Sequence, residues 1–548
     1  MRTFPDQNFE IINLGLTAVN SYTLLDFAQA VAREQPDAVL IYAGHNEYYG
    51  ALGVGSSSQL GFSQHPKGVR LMLQLRKIRL VQLAHQIVTS FAPTQSPETD
   101  PSENLMKRMA ADQSIAKNSP AYQQGIRQFQ RNLDDLLEIL SQEEIPVFIA
   151  NLVSNERHQK PLVSQFRGHT QTSIPEIDQL IRRAKSTQAI EAARKLLCED
   201  STYALAHYYL ANLLYNQQDF NQAKKHYWLA KEHDLLRFRA PEQMNQIIET
   251  LSKTHPHCFL VDMQAAFKAQ SPQGIIGKEL MLEHLHPNYQ GYYLMAETFA
   301  NALKTQRMIA DPWPAMPSRA DFWAEMPFTR VDALYAQYKT WMLKERWPFN
   351  EPMPRETTRK KSFEEKLAGG LAVRTIEWGD GLHALYDHYM KQQQYEKALK
   401  VIESLLLEFP YDLRLYTRVL SLAQRIKNYE LAFLYARKAF DKNPSLEWAR
   451  LAFINGLRLD ETARSLPYLQ YAVQGGQKEL IPMLNMTGMI DQMKQKLLAQ
   501  GQDLATIRQI AQYYMQIGNF RAAGKYVNMA LALAPKDETS LALKTQLR

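Results

Sequence analysis

The chain has 548 residues, 45% hydrophobic and 22% charged, with 63 basic and 56 acidic side chains and a formal net charge of +7. At roughly 100–200 residues per domain this length implies about three or four domains, and the composition excludes a disordered chain. The basic surplus is spread thinly. Its densest runs, Leu75-Arg76-Lys77-Ile78-Arg79 and Arg359-Lys360-Lys361, are short, so no nucleic-acid partner is expected. Two cysteines, Cys198 and Cys258, exclude a disulfide scaffold and a Cys-rich metal site. No apolar run reaches the roughly 18 residues of a membrane span, and the first ten residues contain no signal-peptide apolar region. As written the chain reads as soluble, with its compartment and any membrane contact left open.

Through residue 305 the pattern alternates β-like runs with helical ones. Phe9-Glu10-Ile11-Ile12-Asn13-Leu14 ends at Gly15, and Ala38 to Ala43 ends at Gly44. Ile145 to Val153 and Cys258 to Asp262 make two further strands. Near-continuous apolar runs of this length suit strands covered on both faces, as in a parallel sheet. Tyr22, Leu24, Leu25, Phe27, Ala28, Val31 and Ala32 repeat at helical spacing, and Pro36-Asp37 stops that helix. Strand, helix and strand make a βαβ unit with a right-handed crossover. A second helix, about Ala121 to Gln142, leads into the strand at Ile145, and a last one runs from about Tyr289 to Leu303.

Between Val153 and Cys258 the chain is too long for one crossover. Within it Leu210, Ala211, Leu214, Ala223, Tyr227 and Ala230 have the small and large residues of a helix hairpin, with its turn at Asn216-Gln217-Gln218-Asp219. The spacing returns after residue 380. Leu385, Tyr386, Tyr389, Ala398, Ile402, Leu405 and Pro410 form one unit; Ala432, Ala436, Ala439 and Pro444 the next; Ala511, Tyr514, Ala523, Val527, Ala530 and Pro535 a third. Ala398 to Ala432 and Pro410 to Pro444 are both 34 residues. This period resembles the tetratricopeptide repeat, whose hairpins bury their faces only by stacking. Residues 445–503 read as an irregular hairpin region. Residues 306–375, with Trp313, Trp323, Trp341 and Trp347, read as an irregular packed connector. The domain reading is 1–305 with a helical, repeat-like insert at about 170–240, a connector 306–375, and helical repeats 376–548.

Three segments stand at strand carboxyl ends, where open α/β sheets place their sites: Asn13-Leu14-Gly15, Gly44-His45-Asn46-Glu47, and Glu283-His284-Leu285-His286-Pro287-Asn288 before the last helix. Ester hydrolysis by a serine needs a base, a group to orient the base, and donors for the oxyanion. A His with a carboxylate three residues before it supplies the first two. A Gly amide and an Asn side-chain amide supply the donors, each worth about 3 kcal/mol of transition-state stabilisation.

Taken in order, these segments resemble the SGNH (GDSL-type) hydrolase family over about residues 9–305. The resemblance implies a three-layer α/β fold with a parallel sheet and acyl-ester hydrolysis without a cofactor. It implies Gly15 and Asn46 as the oxyanion hole, His286 as general base and Glu283 as its orienter, where the family has Asp. The family's serine block has no counterpart here. The chain begins after the family's first strand, and the expectation is a natural protein that begins upstream of Met1.

Simpler readings stand beside these. Gly15 and Gly44 suit plain turns, Ser21 an N-cap, and Ser56, Ser57 and Ser58 a cleft wall; the last lack the Gly-Lys-Ser/Thr of a phosphate loop. A metal at Glu283, His284 and His286 has no further ligands near it in sequence. His284 reads as a neighbour of the base; Arg237, Phe238 and Arg239 have the chemistry to contact an anionic substrate, but solvent-facing arginines are common and they are not counted in the site. The expected function is an SGNH-type esterase acting on an ester substrate, whose nucleophile is missing from the chain and whose repeats bind a protein partner. The alternative is a non-catalytic, repeat-based scaffold with a dead hydrolase-like domain.

Overall fold

The computed structural model describes residues 9–56 and 114–547 except 356 and 357, with isolated residues between 3 and 7 and between 75 and 110. Ser57, Ser58, Arg76 and Lys77 lie outside the described residues. The chain divides into two compact units. One is Glu10–Pro314 with Thr340–Glu356; the other is Ala315–Lys339 and Thr357–Arg548 with Met1–Phe9.

In the first unit three short strands pair in parallel in the order β1 (Val39–Ile41), β2 (Val147–Ala150) and β3 (Cys258–Val261). Val39 faces Val147, and Val147 faces Cys258. Side chains alternate between faces. Ile41, Val147, Ile149 and Cys258 join one core, with α1 (Ser21–Arg33), α2 (Pro120–Gln142) and, at Ile248, the later helix Glu242–Thr254. Phe148, Ala150 and Val261 join a second core on the other face. Covering on both faces is why the sequence around Ile145 reads as unbroken apolar residues.

Helix α2 starts where Ser119 caps it, its hydroxyl accepting from the Tyr122 amide at 3.2 Å, with Pro120 in the first turn. It buries Tyr122, Ile126, Phe129, Leu133, Leu137 and Leu140 along one stripe. After β2 come α3 (Ile174–Arg182), α4 (Ser186–Glu199), α5 (Ala204–Asn216), α6 (Phe220–Glu232) and α7 (Glu242–Thr254); after β3 come α8 (Met263–Gln270) and α9 (Tyr289–Thr305). α5 and α6 form the hairpin at the expected turn, with Gln218 in the left-handed region (φ 65°). Ala206, Leu210, Leu214, Ala223 and Tyr227 make its core.

Three expectations need correction. Phe9–Leu14 forms no strand, and Ile11, Ile12 and Leu14 are 82%, 64% and 47% exposed. An apolar run becomes a strand only when neighbouring backbone takes up its hydrogen bonds, and none of the three described strands pairs with it. The described sheet therefore has three strands, not four, and the chain as a whole is mostly helical. Ser21 is not the N-cap of α1. Asn20 holds that position, and the Ser21 hydroxyl is buried and donates to Glu47 Oε1 at 2.7 Å. Arg237 and Arg239 do not face solvent; both are buried.

The second unit is helical: α10 (Arg319–Glu325), α11 (Arg330–Glu345, whose last residues belong to the first unit), α12 (Phe363–Ala372), α13 (Trp378–Lys391), α14 (Tyr395–Glu408), α15 (Leu413–Arg425), α16 (Tyr429–Lys442), α17 (Leu446–Arg458), α18 (Thr462–Gln474), α19 (Ile481–Gln500), α20 (Leu504–Gln516), α21 (Phe520–Leu533) and α22 (Glu538–Gln546). Residues 306–375 thus contain helices α10 to α12. The stretch 445–503 carries a regular hairpin, α17–α18, and then the long α19.

The hairpins α13–α14, α15–α16, α17–α18 and α20–α21 turn alike. Gln393, Lys427, Asp460 and Gly518 each take a positive φ (57°, 58°, 65° and 80°) where the first helix of the pair ends. In two of them an asparagine then caps the second helix: Asn428 accepts from the Leu431 amide (3.0 Å) and Asn519 from the Ala522 amide (3.2 Å). Ala398, Ala432 and Ala523 are fully buried where the paired helices meet. In α17 the small residue is Gly456, where a Cβ would come within 2.3 Å of the Ser465 hydroxyl. One continuous core runs from Val331 to Leu543.

Candidate functional site

Loops at the carboxyl ends of the three strands converge in the first unit. Glu283 is the anchor. It is 2% exposed, and its Oε1 accepts both the His286 amide (2.8 Å) and His286 Nδ1 (2.5 Å). Its Oε2 accepts the His284 amide at 2.8 Å and lies against His284 Nδ1. The longer carboxylate therefore reaches the imidazole three residues on. The His286 side chain is 57% exposed. Its partial burial lowers its pKa, so at neutral pH Nδ1–H is donated to Glu283 and Nε2 is left as an acceptor. This is the tautomer a general base needs.

Two features hold the loop. Asn288 caps α9 by accepting from the Gly291 amide (3.0 Å), while its Nδ2 donates to the Glu279 carbonyl (3.0 Å). Gly291 is required there, because a Cβ would come within 2.2 Å of the Leu280 carbonyl oxygen. From the end of β2, the Asn155 amide donates to the His284 carbonyl at 3.0 Å. The buried His284 ring sits edge-on to Phe238 and Phe349, and its Nε2 has no hydrogen-bond partner among the described residues.

The segment after β1 lies close to this loop. His45 is buried; desolvation, with the charges of His286 and Lys231, pushes its pKa down to about 3. Its Nδ1 accepts from the Ala240 amide (3.1 Å), which leaves the proton on Nε2, 3.4 Å from the Tyr42 hydroxyl. Tyr42 in turn donates to the Val153 carbonyl at 3.3 Å, tying the ends of β1 and β2 together. Gly44 approaches Leu152 so closely that a Cβ would sit 2.4 Å from its Cδ1. Asn46, the next residue but one, is half-buried, and its side chain makes no hydrogen bond among the described residues.

Of the four residues singled out from sequence, the structure joins Glu283 to His286 directly. It brings His45 within electrostatic reach of His286, while neither Gly44 nor Asn46 hydrogen-bonds to Glu283 or His286. It does not bring in Gly15, which is exposed and whose amide already donates to Asn13 Oδ1 at 2.9 Å.

Sequence reasoning missed the buried ionisable groups beneath the site. Asp234 pairs with Arg239 at 3.0 Å and also accepts the Leu162 and Val163 amides. Glu47 is fully buried and holds the start of α1 through the Ser21 amide (3.0 Å) and hydroxyl, and α2 through Gln128 Nε2 (2.6 Å). The only signal for these in the sequence was polar residues next to apolar runs, which surface loops show equally.

Together these features define a helical-repeat protein that also carries a small parallel α/β unit. The 34-residue hairpin spacing, the buried alanines and the repeated left-handed turn make the second unit a tetratricopeptide-like array. No protein-family model and no curated protein matches the chain. Among solved structures, the crystal structure of the P58(IPK) TPR domain aligns at 11% identity over 68% of this chain and 86% of that one, with a TM-score of 0.22. The structure of Naa15/Naa10 bound to HypK-THB aligns at 12% identity over 66% of this chain and 58% of that one, with a TM-score of 0.13.

Proposed function

We propose that the chain is a protein-binding scaffold whose tetratricopeptide-like repeats hold a partner, with the α/β unit as a platform. The observation that carries this reading is the stack itself: successive hairpins share one core and leave large apolar side chains outside it. Tyr411 and Leu498 are 69% and 81% exposed. Stacked repeats of this kind present extended surfaces suited to another chain. A photoreactive amino acid placed in cells at Tyr411 or Leu498 should give discrete cross-linked adducts, and the same residue at Ile11 should not. Equal labelling from all three positions would sink the reading.

A second reading has its own observation in its favour, the Glu283–His286 pair beside the Gly44-His45-Asn46 segment. In it the first unit works as an SGNH-type acyl-ester hydrolase. His286 acts as base, Glu283 fixes its tautomer, Asn46 donates to the oxyanion, and a serine hydroxyl brought to His286 Nε2 serves as nucleophile. The protein should be labelled by a fluorophosphonate and should cleave a short-chain ester, both lost in His286→Ala. A protein that remains silent across an ester panel would leave the scaffold reading alone.

A further inference from the structure

Two arginines from different hairpins meet at one tyrosine of the repeat unit. Tyr429 opens α16. The guanidinium of Arg458, at the end of α17, lies 5.4 Å from its ring centroid, and that of Arg521, near the start of α21, lies 5.7 Å from it. The arrangement is built rather than incidental. Asn519 Nδ2 donates to the Leu457 carbonyl at 2.6 Å, locking the start of α21 onto the end of α17. Both arginines are exposed, and among the described residues neither pairs with a carboxylate. The adjacent acid, Asp460, is already engaged by Lys494, Lys525, Tyr514 and Tyr526. One repeat earlier the motif recurs, with Arg425 lying 5.4 Å from the centroid of Tyr395, again without an ion pair among the described residues.

Stacking on an aromatic face restrains a guanidinium and leaves its N–H edge free for a carboxylate. Two positive charges held at one ring add their attraction for an anion received beside it. Phe520, next to Arg521, is 59% exposed and offers apolar contact beside the charges. A polyanion such as nucleic acid fits poorly, since +7 spread over 548 residues makes no basic stripe. We propose that Arg458, Arg521 and Tyr429 form a docking station for a glutamate or aspartate side chain in an acidic peptide segment of a partner protein, with an apolar neighbour of that acid set against Phe520. The proposal rests on the scaffold reading and names the chemistry of its partner.

The test uses the full chain and a fluorescein-labelled octapeptide of glutamates with one leucine and one phenylalanine, read by anisotropy. Binding should weaken as salt rises, and by about tenfold when glutamines replace the glutamates. Arg458→Gln and Arg521→Gln should each cost about tenfold in Kd, and Tyr429→Leu about threefold, with circular dichroism unchanged. Equal binding of the glutamine peptide, wild-type binding by both arginine variants, or tighter binding of polyphosphate than of peptide would overturn the station. Cross-linking from Tyr411 separates the two claims. If a chain carrying both Arg458→Gln and Arg521→Gln gives the wild-type adducts, the station is wrong and the scaffold reading stands. If the wild-type chain gives no adducts, the scaffold reading falls and the station with it.

Discussion

His286 Nδ1 lies 2.5 Å from Glu283 Oε1, and the same oxygen accepts the His286 backbone amide. One carboxylate thus fixes both the ring and the chain that carries it. Glu283 is buried while His286 is largely exposed, so substitutions at the two positions should have opposite weights. Glu283→Ala strips acceptors from buried donors and should cost about 3 kcal/mol of the first unit's stability. His286→Ala removes an exposed ring and should cost less than about 1 kcal/mol. Urea unfolding followed by near-ultraviolet circular dichroism reads both. A similar loss in the two variants would show that the carboxylate is not the anchor of the loop.

Glu47 sets a pH dependence. Burial pushes its pKa up to about 7, against hydrogen bonds from Ser21 and Gln128 that pull it down. The folded state then holds a proton that the unfolded chain releases near pH 4.3. Between these values the native state binds more protons than the unfolded state, so stability falls as pH rises from about 4.5 to about 7 and is flat above. The full span is worth roughly 4 kcal/mol. Unfolding free energies at pH 5 and pH 7.5, for the wild type and for Glu47→Ala, check this. The variant should lose this slope, and an unchanged slope would assign it to another group.

Much of this was legible in the sequence, and the failures have physical causes. Three strands, helices α1, α2 and α9, the α5–α6 hairpin and the 34-residue period follow from local apolar spacing, which needs only the chain's own neighbours. Phe9–Leu14 has the same local pattern and fails, because a strand also depends on a partner that no local window contains. Arg237 and Arg239 read as surface residues until Asp234, Ile115 and Asn155 are seen to receive them in the fold. The Glu283–His286 pair was readable because three residues of separation within one loop bring the two side chains together locally. Gly15 belongs to the site only if Phe9–Leu14 is a strand that ends beside it, and with no strand there nothing in its surroundings connects it to Glu283 or His286.

Two glycines should respond oppositely to alanine. At Gly291 the added Cβ would stand 2.2 Å from the Leu280 carbonyl oxygen, which is backbone and cannot swing aside. Gly291→Ala should destabilise the first unit by 2 kcal/mol or more, on the order of other overpacking changes. Gly488 lies inside α19 with no atom within 4 Å of its would-be Cβ. Gly488→Ala should stabilise the second unit by about 0.5–1 kcal/mol through helix propensity. Thermal unfolding of the two variants distinguishes them, and shifts of the same sign would refute the packing argument.

Asp460 ties the irregular part of the repeat array together. It turns the α17–α18 hairpin in the left-handed region (φ 65°). Its carboxylate meets Lys494 of α19 at 3.0 Å, Lys525 of α21 at 2.6 Å, Tyr526 at 2.9 Å and the Tyr514 hydroxyl. Burial alone would raise its pKa, but Lys525, Tyr514 and Lys494 outweigh that and hold it below the usual carboxylate value. With the folded pKa depressed, the contribution is complete above the unfolded value near pH 3.9 and is lost as pH falls through the folded value. Asp460→Asn keeps the shape and tolerates the turn, yet removes the charge that both lysines and both phenols meet. It should cost the C-terminal hairpin about 2 kcal/mol at pH 7 and much less once acid has protonated the wild-type carboxylate. Hydrogen exchange of the α20–α21 amides, compared between the two proteins at neutral and acid pH, measures this locally. Equal protection at pH 7 would mean that apolar packing and the Asn519–Leu457 hydrogen bond hold α21 to the end of α17 without the Asp460 charge.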